Sequence, residues 1–353
     1  MANTGGFRLI ARPGLAVITY HGVLPPRHKS IDPGFDGSLI TAETFRQQLR
    51  LLKAKYTIIS PEEMHAWCRY GGELPPRAAL LTCDDGFLSN LTEMLPVLQD
   101  EGLRCLFFVT GASAREGRGM LWYEELLLVF LRARSGSFKI CSEGIVIDGV
   151  LGEREQRRAV WWNSVKRLSQ LDLAGRERFL HDAHAYFSLQ NTLEFFLETY
   201  PETQRHFCLL TRTELQQLAS SGMTIGAHTL SHPVLSLMSS ELAWSEIAES
   251  RMCLQDAIGR PVWAFAYPFG DAGSMNARVV AMAKQAGFDA AFTNVGGGLG
   301  SELPLHAIPR VHVNAGMPLS EFEAHVSGFY ETLQRRLRRN PPASVPVLEA
   351  VRT

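Results

Sequence analysis

Strand-like apolar runs recur along this chain with helical segments between them, and that alternation narrows the fold more than any other feature. Leu15–Tyr20, Tyr56–Ile59, Ala78–Cys83, Leu103–Val109, Met223–Ala227, Val262–Ala266 and Ala290–Thr293 read as strands. Phe45, Leu49 and Leu52 fall at helical spacing, and Leu91–Gln99 and Ala277–Ala286 are two further helices. Ser60-Pro61-Glu62-Glu63 and Thr211–Glu214 are capping boxes that open helices. Ile247, Leu254 and Ile258 stripe another helix that Gly259 closes. Such alternation implies parallel strands joined by crossover helices, as an open sheet or a barrel. In both, chemistry collects at the carboxyl ends of the strands.

What stands at those ends is unusual. The run Leu80-Leu81-Thr82-Cys83 stops at Asp84-Asp85-Gly86. Buried charge is costly, so a strand that is apolar up to two carboxylates surfaces there. Gly226-Ala227-His228-Thr229-Leu230-Ser231-His232 sets two histidines four apart after another apolar run. Each element alone has a plain structural reading, a surface turn for Asp-Asp-Gly and a solvated helix face or cap for the histidines. Asp84, His228 and Pro268 each follow a strand, however, and would share one end of the sheet. Acid pair plus histidine pair is the composition of a hydrolytic metal site. Asp85, His228 and His232 would hold a divalent cation with open positions, and Asp84, directed to the other side of its turn, would accept a proton from water.

Composition sets the outer bounds. The 353 residues are 46% hydrophobic and 20% charged with a formal net charge of −1, which gives no electrostatic case for nucleic acid. No apolar run reaches the length of a membrane span, and Arg8 and Arg12 interrupt any signal-like segment at the start. The expected location is cytoplasmic, with peripheral contact at the inner membrane face as an option for the basic Arg335-Arg336-Leu337-Arg338-Arg339 tail. Cysteines 68, 83, 105, 141, 208 and 253 are scattered singly, so free thiols are expected rather than a disulfide framework.

The rhythm changes between Val109 and Thr211. Trp122–Arg134 is a strongly apolar helix, Phe138–Ile140 and Ile145–Ile147 flank Ser142-Glu143-Gly144 as a small hairpin, and Arg154–Tyr200 is charged and helical. The expected organisation is a catalytic barrel from residues 1–113 and 208–330, a mainly helical insertion over 114–207, and a basic, proline-containing tail over 331–353. The insertion reads as a lid or substrate wall, or as structural padding.

Together the motifs resemble the polysaccharide deacetylase family, carbohydrate esterase family 4, with its NodB-homology fold. Thr82-Cys83-Asp84-Asp85-Gly86 is similar to that family's T-F-D-D-G with Cys for Phe, and His228-Thr229-Leu230-Ser231-His232 matches H-[ST]-x-x-H. Tyr20-His21 and Tyr267-Pro268-Phe269-Gly270 resemble its poly-N-acetylglucosamine deacetylase subgroup. The resemblance implies an α/β fold, a distorted (β/α)7 barrel. It also implies a metal on Asp85, His228 and His232, usually zinc, sometimes cobalt or another divalent ion, with Asp84 as general base.

The third motif departs from the family, with Ala266 where an arginine normally steadies the catalytic aspartate. The Phe269 N–H would still donate to the oxyanion, beside Tyr267 and Pro268. Arg310, in Pro309-Arg310-Val311-His312-Val313, could supply the missing guanidinium, and His312 the acid that protonates the leaving amine. The same alternation also fits a half-buried strand, and His21 fits either a site wall or a satisfied core histidine.

The resulting expectation is a metal-dependent N-deacetylase of an N-acetylated amino sugar in a glycan or glycan precursor, serving exopolysaccharide or cell-envelope synthesis. A lipid-linked sugar would suit the basic tail and the apolar Trp122–Phe130 segment. The alternatives are an O-acetyl esterase or deformylase on the same site, and a catalytically silent carbohydrate-binding protein.

Overall fold

A computed structural model describes residues 14–26, 28, 38–115, 117–199, 207–295 and 304–329. The first half of the barrel runs β1 (Ala16–Tyr20), β2 (Gly22–Leu24), β3 (Leu39–Thr41), α1 (Ala42–Lys55), β4 (Thr57–Ile58), α2 (Pro61–Tyr70), β5 (Ala78–Cys83), α3 (Leu95–Asp100) and β6 (Leu106–Val109). A helical segment follows: α4 (Trp122–Arg132), the hairpin β7 (Gly136–Ser142) and β8 (Ile145–Leu151), α5 (Arg154–Leu168), α6 (Leu173–Tyr186) and α7 (Thr192–Thr199). The barrel resumes with α8 (Arg212–Ser220), β9 (Thr224–Ala227), α9 (Ser240–Ile258), β10 (Ala264–Ala266), α10 (Ala277–Gln285) and β11 (Ala290–Thr293). It ends with β12 (Ile308–Pro309), β13 (Val311–His312) and α11 (Leu319–Val326).

All pairings of the main sheet are parallel, in the order β12-β11-β10-β9-β6-β5-β1-β13. The two ends of that order are one strand. β12 pairs β11 through Ile308 and Pro309, β13 pairs β1 through Val311 and His312, and only Arg310 separates them. The seventh strand therefore bends at Arg310 and nearly closes a distorted seven-stranded barrel, the closed form among the two that the alternation allows and the one the family resemblance implies.

Strand periodicity sorts the residues. Val17, Leu80, Leu106, Phe108, Ala264, Ala266, Ala290, Phe292 and Ile308 pack together as the barrel interior. Their neighbours Ile18, Leu81, Phe107, Ile225, Phe265 and Ala291 pack outward against the helices. Gly226 makes room for a large interior ring, since a Cβ there would stand 2.6 Å from Phe108 Cδ1.

Both capping boxes form, at Ser60 and Thr211, and Gly259 ends α9 in the left-handed conformation. The helix expected over Leu91–Gln99 opens instead as a π turn over Asn90–Met94, where Pro96 removes a backbone donor. The strands after Leu103 and Val262 are shorter than their apolar runs. α4 packs its apolar residues inward: Trp122, Leu126, Val129 and Phe130 share a buried cluster with β7, β8, α5 and α6. The apolar Trp122–Phe130 segment, expected to suit a lipid-linked sugar, thus spends most of its apolar side chains on its own core. Among the described residues no helix is long and apolar enough to cross a membrane. The Arg335–Arg339 tail lies outside the described residues.

Candidate active site

The barrel interior carries polar residues at its carboxyl end. Thr19 and Thr82 face each other there with their hydroxyls 3.1 Å apart. One pleat further along, the same parity places His21, Asp84, His228, Arg310 and His312 inward. Asp85 has the opposite parity, yet its backbone adopts φ 74°, which turns it back toward the centre. Gly86 follows with φ 81°, and a Cβ on it would stand 2.4 Å from Val109 Cγ1. Thr229, His232 and Phe269 also hold positive φ, at 65°, 61° and 60°. Such strain on non-glycine residues gathers at functional sites.

One ligand atom each from Asp85, His228 and His232 falls within 4.8 Å of the others. His232 Nε2 is 3.3 Å and His228 Nε2 is 3.6 Å from Asp85 Oδ1. The donor chemistry fits a cation. His228 Nδ1 lies 2.7 Å from Ala266 O, so that nitrogen carries the proton and Nε2 keeps its lone pair. Asp85 Oδ1 is buried without a hydrogen-bond partner among the described residues. Burial, and then the adjacent Asp84, push the Asp85 carboxyl well above the usual carboxylate range. Burial lowers both imidazoles, leaving them neutral. A buried carboxylate with two neutral imidazoles lacks positive charge, which a divalent cation would supply.

Asp84 has a different environment. Arg310 Nη1 donates to Oδ1 at 2.7 Å and Nη2 to Oδ2 at 2.6 Å. Burial works against ionisation, but Arg310 and then His228 outweigh it and hold the Asp84 carboxyl well below its ordinary range. Arg310 is itself anchored by Thr293 O at 3.3 Å and stacks over Phe108, 5.2 Å from the ring centroid. The guanidinium absent from position 266 thus reaches the aspartate from the seventh strand.

The remaining candidates divide. His21 and His312 meet at a ring separation of 4.8 Å, both lowered by burial, His21 to about 3. Phe269 lies against His232 at 4.7 Å, and its N–H makes no hydrogen bond with another described residue. Pro268 is buried beside it. Tyr267 is not in the site. Its parity is opposite to that of Ala266, so the ring packs among the outer helices and the hydroxyl donates to His306 O at 2.9 Å.

Sequence reading missed three aromatic residues from the segment between β6 and β9. Tyr123, at the start of α4, sits 5.0 Å from His232 and 5.6 Å from Phe269. Trp162 meets Phe269 edge-on at 5.4 Å, and Trp161 Nε1 donates to Tyr123 O at 2.6 Å. All three are half-buried, and nothing local in the sequence showed what they would meet.

Comparison with known proteins gives a family match over part of the chain and a likeness of fold over most of it. Residues 188–291 match the family model described as polysaccharide deacetylase. YxkH of Bacillus subtilis (strain 168), named for a polysaccharide deacetylase, is 26% identical over 117 residues, 33% of this chain and 41% of that protein. The chain thus matches about two fifths of that relative's length. Among solved structures, the Streptococcus pyogenes deacetylase PplD in complex with acetate superposes with a TM-score of 0.55 at 15% identity, covering 89% of this chain and 99% of that one. IcaB from Ammonifex degensii gives 0.53 at 19% identity, covering 90% and 98%. At these identities the structural likeness is one of fold.

Proposed function

This chain is related to the polysaccharide deacetylases, and from that premise we propose that it is a metal-dependent N-deacetylase of an N-acetylated amino sugar in a glycan or glycan precursor. One observation carries the reading: three potential ligands converge beside a second carboxylate that a buried arginine keeps ionised. Surface binding of a sugar would not call for that arrangement.

A divalent cation on Asp85, His228 and His232 would supply Lewis acidity toward the acyl carbonyl. Zinc suits a set of two imidazoles and one carboxylate. Asp84, held ionised and oriented by Arg310, accepts the proton of the attacking water. The Phe269 N–H donates to the carbonyl oxygen as negative charge develops there. His312 delivers a proton to the departing nitrogen, and His21 walls that side. Tyr123, Trp162 and Phe269 line the far side with aromatic surface suited to the apolar face of a sugar ring. The reading extends to a place in exopolysaccharide or cell-envelope glycan synthesis, with a lipid-linked sugar among the candidate substrates.

The test is acetate release from N-acetylated chitooligosaccharides by zinc-loaded protein, with mass spectrometry following loss of the acetyl mass. Release that disappears in the Asp84→Asn variant supports the proposal. Release from O-acetylated sugars alone would move the reading to an esterase, and loss of a formyl mass to a deformylase. Saturable sugar binding without any hydrolysis would leave a silent binding protein.

A further inference from the structure

The loop bearing the two histidines is gripped from behind by a buried ion pair, whose arginine reaches it from the segment between β6 and β9. Arg176, on α6, is fully buried. Its Nη2 donates to Glu246 Oε1 at 2.7 Å and to the Ser231 hydroxyl, and its Nη1 donates to Leu171 O at 3.1 Å. Glu246, on α9, accepts the Ser231 N–H through Oε2 at 2.9 Å and the Ser231 hydroxyl through Oε1. The Glu246 backbone carbonyl also accepts the Leu230 N–H at 3.0 Å. Trp122 covers the guanidinium, its ring centroid 5.3 Å from Cζ.

Ser231 immediately precedes His232, and the two histidines are not equally supported. A metal-bound histidine ordinarily fixes its ring by donating the second N–H to a neighbour. His228 does so, through Ala266 O. His232 Nδ1 is buried with no partner among the described residues. Its aim depends instead on ring contacts and on a backbone held at φ 61°. Thr229 Oγ1 accepts the His232 N–H at 2.9 Å from one side, and the Ser231–Glu246–Arg176 network clamps the other. Desolvating an ion pair is costly where an apolar pair of like size would pack as well, so its presence here calls for a reason.

We propose that Arg176 is a positioning residue for the metal-binding loop, acting through Glu246 and Ser231 to hold the backbone that aims His232. On this account the segment between β6 and β9 completes the metal centre as well as covering it. The inference rests on the reading that Asp85, His228 and His232 hold a divalent cation.

The experiment measures zinc affinity by competition with a chromophoric chelator, alongside thermal unfolding of the metal-free protein. Wild type is expected to bind one zinc ion and His228→Ala none; failure of wild type to bind zinc would overturn the cation reading and this inference together. The Arg176→Met/Glu246→Gln double variant removes both charges, so no lone charge is buried, and keeps an acceptor for the Ser231 N–H. It is expected to bind zinc at least tenfold more weakly while remaining folded by circular dichroism. Ser231→Ala, which leaves the ion pair in place, is expected to weaken zinc in the same direction. Arg176→Lys, which keeps the charge beside Glu246, is expected to bind zinc more tightly than the double variant. Lower unfolding temperatures with wild-type zinc affinity in both the double variant and Ser231→Ala would reduce Arg176 to a packing role and overturn the inference alone.

Discussion

Arg310 and Asp84 form a two-pronged ion pair inside the barrel mouth, each oxygen of the carboxylate taking its own guanidinium nitrogen at 2.7 and 2.6 Å. Arg310 is also the residue at which the seventh strand passes from β11 to β1. The closing strand therefore bends at the residue whose side chain keeps the proposed base ionised. A planar fork is needed to serve both oxygens, and lysine cannot reproduce it. Arg310→Lys is expected to lower kcat/KM by about 10²-fold, within the range that loss of a positioned base covers. Arg310→Met leaves Asp84 buried without its partner and is expected to cost about 3–5 kcal/mol of stability as well. Steady-state kinetics with denaturant unfolding separates the two effects; an Arg310→Lys enzyme with undiminished turnover removes the arginine from the mechanism.

Metal removal gives the second expectation. Chelation should abolish hydrolysis, and zinc added back should restore it while raising the unfolding temperature. At a hundredfold excess over Kd the gain is about 2.7 kcal/mol for a ligand that binds only the folded state. Asp85→Ala, His228→Ala and His232→Ala should each lose that gain. Differential scanning fluorimetry with and without zinc reads it directly, and an unfolding temperature that ignores zinc counts against the centre.

The positions of these groups were legible in the sequence to the extent that they follow strand parity. His21, Asp84, His228, Arg310 and His312 all sit an even number of residues beyond interior positions such as Val17, Leu80 and Ile308, and all face inward. Tyr267 could have been placed outward by the same count from Ala266, and its motif membership obscured this. Asp85 and His232 escape parity because positive φ angles, absent at His21, Asp84 and His228, redirect them beyond the strand ends. No propensity signals φ 74° on an aspartate. The contribution of Tyr123, Trp162 and Arg176 was illegible for another reason: the site residues that each meets lie far away in sequence, and helical periodicity names no partner.

Glu125 supplies a pH-dependent expectation away from the centre. It lies on α4 with Oε1 3.3 Å from His184 Nε2, and burial followed by the Glu177 charge pushes its carboxyl up to about 7. Burial lowers His184, so no imidazolium offsets the carboxylate. A folded-state value above the unfolded one means the protonated form is favoured in the fold. The associated stability is complete below about pH 4.5 and is lost as pH rises through about 7. Glu125→Gln should therefore be neutral near pH 4.5 and more stable than wild type at pH 8, by about 1–3 kcal/mol. Denaturant midpoints at the two pH values check the sign, and equal midpoints at pH 8 would refute it.

His312 offers the sharpest division between catalysis and structure. It ends the seventh strand, pairs in register with Thr19 of β1, and lies 4.8 Å from the His21 ring. Burial lowers it, Asp84 acts in the opposite sense, and Arg310 lowers it further, so the resting imidazole is neutral at pH 7. An acid that starts neutral must gain its proton within the reaction cycle, from the water whose proton Asp84 first accepts. Loss of such an acid affects the step that expels the amine and leaves sugar binding intact. His312→Ala is accordingly expected to lower kcat by about 10²-fold with KM and zinc affinity little changed. The deficit should shrink on substrates whose leaving group needs no protonation, such as activated aryl acetates. Full kcat in His312→Ala on the N-acetyl sugar would return this histidine to the role of a half-buried strand residue.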